Sequence, residues 1–251
     1  MTWLNGLRAA AAEGGIAMKL GIIGAMQEEV DSLRQSLEAG APQLRGGREF
    51  YPGRCGDHEV VLCRSGIGKV SAGVTASILA EHFGVGAIIN TGIAGGVCRG
   101  LRIADTVIST GTAYHDFDLS AFGYAPGQLP DHPRIYPADQ RLLETARIAC
   151  PGVPGLAGVH EGLIVSGDQF VSSQQAIARI LELYPEALAT EMEGAAIAQV
   201  CSEYALPYLV IRSISDSADD DAPRSSVDCM ELALSTTAPL VVEMIRLLQE
   251  S

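Results

Sequence analysis

The sequence predicts an α/β fold built on a central mixed, mostly parallel β-sheet. Short apolar, β-branched runs that suit buried strands alternate along the chain with segments of helical spacing. Such alternation calls for crossover connections and for helices on both faces of the sheet. The 251 residues are 47% hydrophobic and 19% charged, which is the balance of one large globular domain, and no repeat or shift in composition marks a second one.

The predicted elements follow one another in a regular order. Strands are expected at 20–23, 50–51, 60–63, 87–89, 106–108, 163–165 and 208–216. Helices are expected at 28–37, from 69, at 141–149, through 177–184, from about 191 and, last, to about 249. The Gly-rich stretch 91–96 is predicted to be a turn, and 115–133 a loop whose length indicates a functional role.

The first 17 residues are predicted to lie outside the domain, which spans 18–251. This lead is rich in Ala and Gly, and its apolar stretch is too short and too interrupted for a signal peptide. Met18 and Lys19 open the first strand. We therefore expect 1–17 to be an N-terminal tail, either disordered or an extension ahead of a start at Met18.

The charge balance limits the partners. The formal net charge is −13 and the pI is about 4.7, which argues against nucleic acid and against anionic membranes. No apolar run approaches the roughly 18 residues that a membrane span requires. The six cysteines are scattered without metal-ligand spacing, so we expect reduced thiols, a cytoplasmic location and no zinc.

The run Tyr208–Asp216 is the strongest candidate for a site. It starts as an apolar strand, turns polar at Arg212, and ends in Ser215 and Asp216. Ligands of open α/β sheets bind outside the carboxyl ends of the strands, where such an acid can act. Solvated loop acids are the ordinary explanation for the run that continues to Asp221.

A second candidate stretch runs from Gly21 to Glu29. It lacks the spacing of a dinucleotide fingerprint and the Lys of a P-loop. Glu28 and Glu29 fall in the first turn of a helix, where the helix dipole stabilises a carboxylate, so a structural role is favoured from this stretch alone. The Gly-rich stretch around Ala94 and Gly95 permits either a close approach of ligand to backbone or a tight turn, and both interpretations remain open.

A third candidate is the sequence Thr190-Glu-Met-Glu193. It fits a capping box in which Glu193 bonds back to the Thr190 amide, and this local interpretation is favoured. The alternative is that Glu193 accepts two hydroxyls of a ribose, since each charged hydrogen bond contributes about 1.5–3 kcal/mol.

Together these stretches resemble the bacterial 5′-methylthioadenosine/S-adenosylhomocysteine nucleosidases of the nucleoside phosphorylase superfamily. The resemblance covers nearly everything from Met18 onward. The matching segments are 21–30, 65–70, 89–96, 114–124, 127–130, 165–170, 191–193 and 212–216. It implies a three-layer α/β/α sandwich, a homodimer, and hydrolysis of the adenine N-glycosidic bond in methionine salvage without metal or organic cofactor.

The resemblance also assigns roles. It implies that Asp216 protonates adenine N7, that an ionised Glu29 activates water, and that Glu193 accepts the ribose hydroxyls. Two acids in opposite protonation states on one bond is the pattern of glycoside hydrolysis, and burial of Asp216 would favour its protonated form. The other implied substrate-binding residues are Phe170 stacking on adenine, Val171, Ser215, Ala94, Gly95 and Arg212, with Met26, Ile67 and Met192 along the sugar and 5′ group, and Phe122, Tyr124 and Pro130 of the 115–133 loop reaching the neighbouring subunit.

Some alternatives stay open. Ile93 stands where well-known relatives carry Ser, which removes a polar contact near the water. A phosphorylase needs cations around its phosphate; only Arg212 remains available, and Glu29 would repel the anion. A nucleoside-binding protein without activity would be expected to lack Asp216 or Glu29. The sequence does not rank methylthioadenosine, S-adenosylhomocysteine, 5′-deoxyadenosine and aminodeoxyfutalosine, the last a nucleoside of menaquinone synthesis.

Overall fold

The computed structural model describes residues 18–34, 36–156, 158–216 and 227–248. The predicted tail at 1–17 and the acids Asp219, Asp220 and Asp221 lie outside these residues. The described strands are β1 Leu20–Gly24, β2 Glu38–Ala39, β3 Gln43–Arg45, β4 Arg48–Cys55, β5 His58–Arg64, β6 Ala87–Gly96, β7 Thr106–Tyr114, β8 Tyr136–Pro137, β9 Val159–Ser166, β10 Ala187–Glu191 and β11 Tyr208–Asp216. The described helices are α1 Gln27–Arg34, α2 Lys69–Glu81, α3 Gln140–Ala149, α4 Gln174–Leu183, α5 Gly194–Glu203 and α6 Val227–Leu247, with short 3₁₀ turns at Ser120–Phe122 and Cys150–Gly152.

All described strands belong to one mixed sheet of order β10-β9-β7-β11-β6-β1-β5-β4-β2. Parallel pairs join β5, β1, β6 and β11, and also join β7, β9 and β10. Because β10 also pairs with β6, the strands β6, β11, β7, β9 and β10 close into a ring. The α/β fold and the mixed sheet are confirmed, whereas the flat central layer of a three-layer sandwich is not established.

The central strands are buried because helices pack on the closed ring of strands and on the strands β1, β5, β4 and β2 that continue the sheet from β6. Every residue of β1 and β11 is buried, as expected for the apolar runs that predicted them. One core cluster joins them to α1, α3 and α6, and a second cluster joins the sheet to α2 and α5. Burial of a Leu or Ile side chain contributes about 1.5–3 kcal/mol each, so these clusters fix the strand ends that form the site.

Several element boundaries differ from the prediction. Strand β6 continues to Gly96, so the turn predicted at 91–96 is wrong. The run Ala187–Glu191, which sequence reasoning merged into the approach to a helix, is strand β10, and α5 begins only at Gly194. Loop 115–133 is confirmed as a loop apart from the single 3₁₀ turn at Ser120–Phe122.

The described part of the chain lacks two kinds of feature. Among these residues no helix combines the length and the apolar character that a bilayer crossing needs. In the same residues no group of three or more His, Cys, Asp or Glu side chains is placed to hold a metal ion.

Candidate active site

The carboxyl ends of β6, β10 and β11 meet at one place in the sheet. Asp216, the last residue of β11, lies opposite Gly95 of β6. Thr190 of β10 is paired with the same Gly95, and Glu191 ends that strand. Acids from two strands therefore reach the end of a third, at the type of position where α/β proteins bind ligands.

The Glu29 carboxylate lies buried between α1 and β6. Its Oε2 accepts the amides of Ala25 at 2.6 Å and Met26 at 3.0 Å, and its Oε1 accepts the amide of Ile93 at 3.2 Å. Burial raises the pKa of Glu29, while the Arg212 charge and the three amides act to lower it. The expected ionised state of Glu29 therefore depends on these donors, because burial alone favours the protonated form.

Glycine is required beside this carboxylate. A Cβ at position 92 would lie 2.3 Å from Glu29 Oε1, and one at position 24 would lie 3.0 Å from Glu29 Cβ. The two interpretations of the Gly-rich stretch were close ligand approach and a tight turn. The structure shows a different use for Gly92, since the absent side chain makes room for Glu29 inside a strand.

Asp216 is 7% exposed and faces a small cavity. Ser215 Oγ donates to Asp216 Oδ2 at 2.8 Å, so the serine predicted to support the acid does contact it. The cavity has a volume of about 40 Å³, and besides Asp216 it is lined by Gly95, Gln169, Phe170, Val171, Thr190, Glu191 and Met192. Five residues predicted to bind substrate or act on it, Asp216, Gly95, Phe170, Val171 and Met192, thus share one cavity.

Glu193 points toward the loop that precedes α2. Its Oε1 accepts the Gly68 amide at 2.9 Å, and its Oε2 lies 3.8 Å from Arg212 Nη2. Burial raises the pKa of Glu193 to about 8, and the nearby Glu191 and Glu29 charges add to this effect. The capping box predicted for Glu193 is wrong: its carboxylate spans to Gly68 and leaves the Thr190 amide to other partners.

The cap of α5 is provided by Glu191 instead. The Glu191 carboxylate accepts the amides of Glu193 at 3.0 Å and Gly194 at 2.8 Å. It also accepts a short hydrogen bond from Ser166 Oγ at the end of β9. Sequence reasoning missed Glu191 as a site residue because the capping motif drew attention to Thr190 and Glu193.

Arg212 is buried within the site, and among the described residues its Nε has no hydrogen-bond partner. Its Nη2 donates to Glu191 Oε2 at 2.5 Å and to Asn90 Oδ1 at 2.6 Å. Burial acts to lower the pKa of Arg212, but the Glu191, Glu193 and Glu29 charges raise it above its usual value. These contacts disfavour the hypothesis that Arg212 remains available for a phosphate. Asn90 was missed, although a polar residue inside the apolar run 87–90 is the signal that marks it.

Apart from Met192, the residues predicted for the sugar and the 5′ side do not line the cavity beside Asp216. Met26 is half-buried next to Glu29, and Ile67 is exposed one residue before Gly68. Phe122 is 78% exposed, Tyr124 is half-buried and Pro130 is exposed, and none of the three lines that cavity. Their assignment to a neighbouring subunit's site stays a prediction.

This sheet with acids at the end of β6 belongs to a known class of protein. The family described as Phosphorylase superfamily matches residues 19–246, and the chain is a member of it. Within that superfamily the chain belongs to the 5′-methylthioadenosine/S-adenosylhomocysteine nucleosidase family. The protein of that name from Tolumonas auensis is 41% identical over 229 residues, which cover 91% of this chain and 99% of the relative.

Solved structures agree with this assignment. The 5′-methylthioadenosine/S-adenosylhomocysteine nucleosidase of Colwellia psychrerythraea, in complex with adenine, is similar with a TM-score of 0.89 and 38% identity, covering 94% of this chain and 98% of that one. The futalosine hydrolase of Helicobacter pylori is similar with a TM-score of 0.86 and 31% identity, covering 92% of this chain and 98% of that one.

Proposed function

We propose that this protein hydrolyses the N-glycosidic bond of 5′-substituted adenine nucleosides and releases adenine and the free ribose derivative. The substrates are 5′-methylthioadenosine and S-adenosylhomocysteine, as the names of its relatives indicate. One observation carries the proposal. Glu29, Glu193 and Asp216 are 5%, 5% and 7% exposed. All three lie near the last residues of β6: Glu29 accepts the Ile93 amide, Asp216 lies opposite Gly95, and Glu193 lies 3.8 Å from Arg212, which pairs with Gly92.

Asp216 is the general acid in this proposal. Adenine is a poor leaving group until its N7 takes a proton. Asp216 shares its cavity with Phe170 and Val171, the residues assigned to adenine. The hydrogen bond from Ser215 fixes one carboxyl oxygen and orients the group. A positioned general acid contributes about 10²–10⁴-fold, which corresponds to roughly 3–5 kcal/mol of the barrier.

Glu29 orients and activates the attacking water. Its carboxylate is held by amides of the turn before α1 and of β6, so its oxygens are fixed relative to the strand that pairs with Asp216. With Ile at position 93, the contact from this position to Glu29 is a backbone amide, which does not depend on the side chain. The missing serine therefore leaves this anchor of the carboxylate intact.

Glu193 accepts the ribose hydroxyls. It lies between Gly68 and Arg212, and its raised pKa of about 8 reflects burial among like charges. As the sugar develops oxocarbenium character, its positive charge favours the ionised forms of Glu193 and Glu29, and these carboxylates then stabilise it.

Phosphorolysis is the less favoured alternative. Among the described residues of the site, the buried cation Arg212 already binds Glu191 and Asn90, and the nearby Glu29 carboxylate would repel an anion. Aminodeoxyfutalosine is the alternative nucleoside. It is favoured by one observation, the 31% identity to a futalosine hydrolase with the same fold.

The test is a direct assay of adenine release. Purified protein is incubated with methylthioadenosine, S-adenosylhomocysteine, 5′-deoxyadenosine and aminodeoxyfutalosine, each with and without phosphate, and the products are separated by chromatography. We expect phosphate-independent release from the first two. A strict requirement for phosphate, or no release from any of the four, contradicts the proposal.

A cytoplasmic homodimer completes the proposal. Val70 is 79% exposed, and Ile67 and Val74 are exposed apolar neighbours on the same part of the chain. The hairpin that carries the exposed Leu44 lies beside them, because a Cβ at Gly46 would lie 4.0 Å from Val74. Such an apolar surface suits burial by a second copy.

Light scattering should give the mass of a dimer, and Val70→Asp should shift the measured mass toward that of the monomer. A monomeric wild-type protein contradicts this part of the proposal.

A further inference from the structure

The chain contains two lysines, and one of them joins two aspartates at the rim of the site. Lys69 Nζ lies 2.7 Å from both carboxylate oxygens of Asp116. The Lys69 backbone amide donates to Asp168 Oδ1 at 2.8 Å, and the Asp168 amide donates to Asp116 Oδ2 at 2.8 Å. Each of the three residues thus contacts the other two, and we call this closed set of contacts the Lys69–Asp116–Asp168 ring.

The ring connects three segments that contribute to different parts of the site. Lys69 follows Gly68, whose amide donates to Glu193. Asp116 stands at the start of the 115–133 loop, which is assigned to the 5′ side. Asp168 lies two residues before Phe170, which lines the cavity beside Asp216. Three parts of the rim that are distant from one another in sequence are therefore held together by the Lys69 side chain, two backbone amides and the carboxylates of Asp116 and Asp168.

The geometry of the ring differs from that of an ordinary surface ion pair. The side chains of Lys69 and Asp116 are only 23% and 12% exposed, and the contact uses both carboxylate oxygens. The ammonium also lies 5.5 Å from the centre of the buried Tyr114 ring. Exposed pairs contribute about 0–1 kcal/mol, whereas a partly desolvated pair held on several sides fixes its partners more firmly.

Gly68 shows how closely the segments approach. A Cβ at this position would lie 3.0 Å from Asp168 Oδ1, and its φ of +95° is in the region that favours glycine. The consecutive amides of Gly68 and Lys69 donate to Glu193 and to Asp168, respectively. The loop before α2 is thus held between the Glu193 carboxylate, which is assigned to the ribose hydroxyls, and the segment that carries Phe170.

We propose that Lys69 is a positioning residue, and that the Lys69–Asp116–Asp168 ring couples the 5′-side loop to the adenine side of the pocket. A change at Asp116 then displaces Phe170 through Asp168, and displaces Glu193 through Lys69 and Gly68. This inference rests on the proposed nucleosidase function for its kinetic assay, but its binding assay stands without turnover.

The first test compares the two lysines. Lys19 pairs with Glu59 at 2.9 Å on the surface, so Lys19→Met is a matched control for Lys69→Met. We expect Lys69→Met to lower kcat/KM for methylthioadenosine by about tenfold or more, because small displacements of positioning groups are costly to catalysis. Lys19→Met should stay within about twofold of wild type, and Lys69→Arg should recover most of the loss because arginine also binds a carboxylate through two hydrogen bonds.

The second test measures binding of free adenine by calorimetry. Asp116 belongs to the 115–133 loop and does not line the cavity beside Asp216, yet the coupling predicts a severalfold weaker adenine affinity for Asp116→Asn. Asp168→Asn, at a half-exposed side chain, is a variant that we expect to fold even if Lys69→Met does not. Unchanged adenine affinity in Asp116→Asn and Asp168→Asn, or a Lys69→Met enzyme with the kcat and KM of wild type, overturns the inference. Absence of adenine release by the wild-type protein overturns the proposed function instead, and the binding comparison still decides the role of the ring.

Discussion

Glu29 and Ile93 are joined by a hydrogen bond that crosses from the first helix to the centre of the sheet. The Ile93 amide donates to Glu29 Oε1 at 3.2 Å, while the other carboxylate oxygen is held by the amides of Ala25 and Met26. One carboxyl group is thereby fixed relative to β6, the strand that also faces Asp216. The spatial relation of the two acids thus rests on backbone contacts.

The absence of a side chain at position 92 is the first point to test. We expect Gly92→Ala to displace Glu29, because the new Cβ would lie 2.3 Å from its Oε1, and to lower kcat by at least about 10²-fold together with a loss of thermal stability. Gly73→Ala in α2 is the control, since its Cβ would meet nothing closer than 3.8 Å. Alanine within a helix is about 1 kcal/mol more favourable than glycine, so the control should be neutral or stabilised. Wild-type kinetics in Gly92→Ala would show that Glu29 tolerates displacement.

Replacement of the proposed acid separates chemistry from binding. Asp216→Asn should reduce kcat by about 10²–10⁴-fold, because the amide cannot protonate the leaving base. Binding of an adenine analogue should remain measurable by calorimetry, since Phe170 and Val171 are unchanged. Asp57→Asn in the exposed turn between β4 and β5 is the matched control and should behave as wild type. Turnover of Asp216→Asn near the wild-type rate would refute the acid role.

The role of Glu193 predicts a difference between two ligands. Above pH 8, where Glu193 is ionised, Glu193→Gln should weaken a nucleoside analogue that retains its ribose hydroxyls by about 1.5–3 kcal/mol, the contribution of a charged hydrogen bond. Free adenine lacks the ribose and should bind the variant with nearly unchanged affinity. Titration calorimetry with both ligands measures this difference. Equal losses for the two ligands would show that Glu193 acts on the pocket as a whole.

The raised pKa of Glu193 also predicts a pH-dependent stability. The folded protein holds the proton to a pKa of about 8, whereas the unfolded chain releases it near 4.5. Between these values the folded state binds more protons, so this residue makes the free energy of unfolding decrease as the pH rises. Glu193→Gln removes the titration. We therefore expect the variant to match wild type near pH 4.5 and to have a higher Tm at pH 8, by about 2–4 °C for each kcal/mol. A Tm difference that stays constant across this range contradicts the assignment.

The sequence predicted much of this fold because most strands are apolar runs closed by glycine or polar residues. Tyr208–Asp216 and Leu20–Gly24 are of this kind, and their burial follows from composition. Strand β10 was missed because Ala187–Glu191 has no β-branched apolar residue and its polar end was assigned to the start of a helix. Strand β6 was cut short because glycine suggested a turn, whereas Gly92 serves a contact with Glu29 that lies 63 positions away in the chain.

The site was predictable in part for the same reason. Asp216 was a candidate because it ends an apolar run, whereas Ser215, Phe170, Val171 and Met192 were expected from the resemblance to the nucleosidase family. The structure brings these five residues together. Glu191 and Asn90 became apparent only through Arg212, whose partners come from two other strands. Such partners depend on strand pairing, and short-range patterns do not encode it.

The closed ring of β6, β11, β7, β9 and β10 has a consequence for how relatives of this protein differ from one another. A strand with neighbours on each side cannot slip by one residue without breaking both ladders, so the acids at the end of β6 keep a common spacing. Divergence in the preferred nucleoside must then arise in the connecting segments 65–69 and 115–133. Homologues that accept different 5′ groups should accordingly share the geometry of the five closed strands and differ in the sequence and length of these two connecting segments.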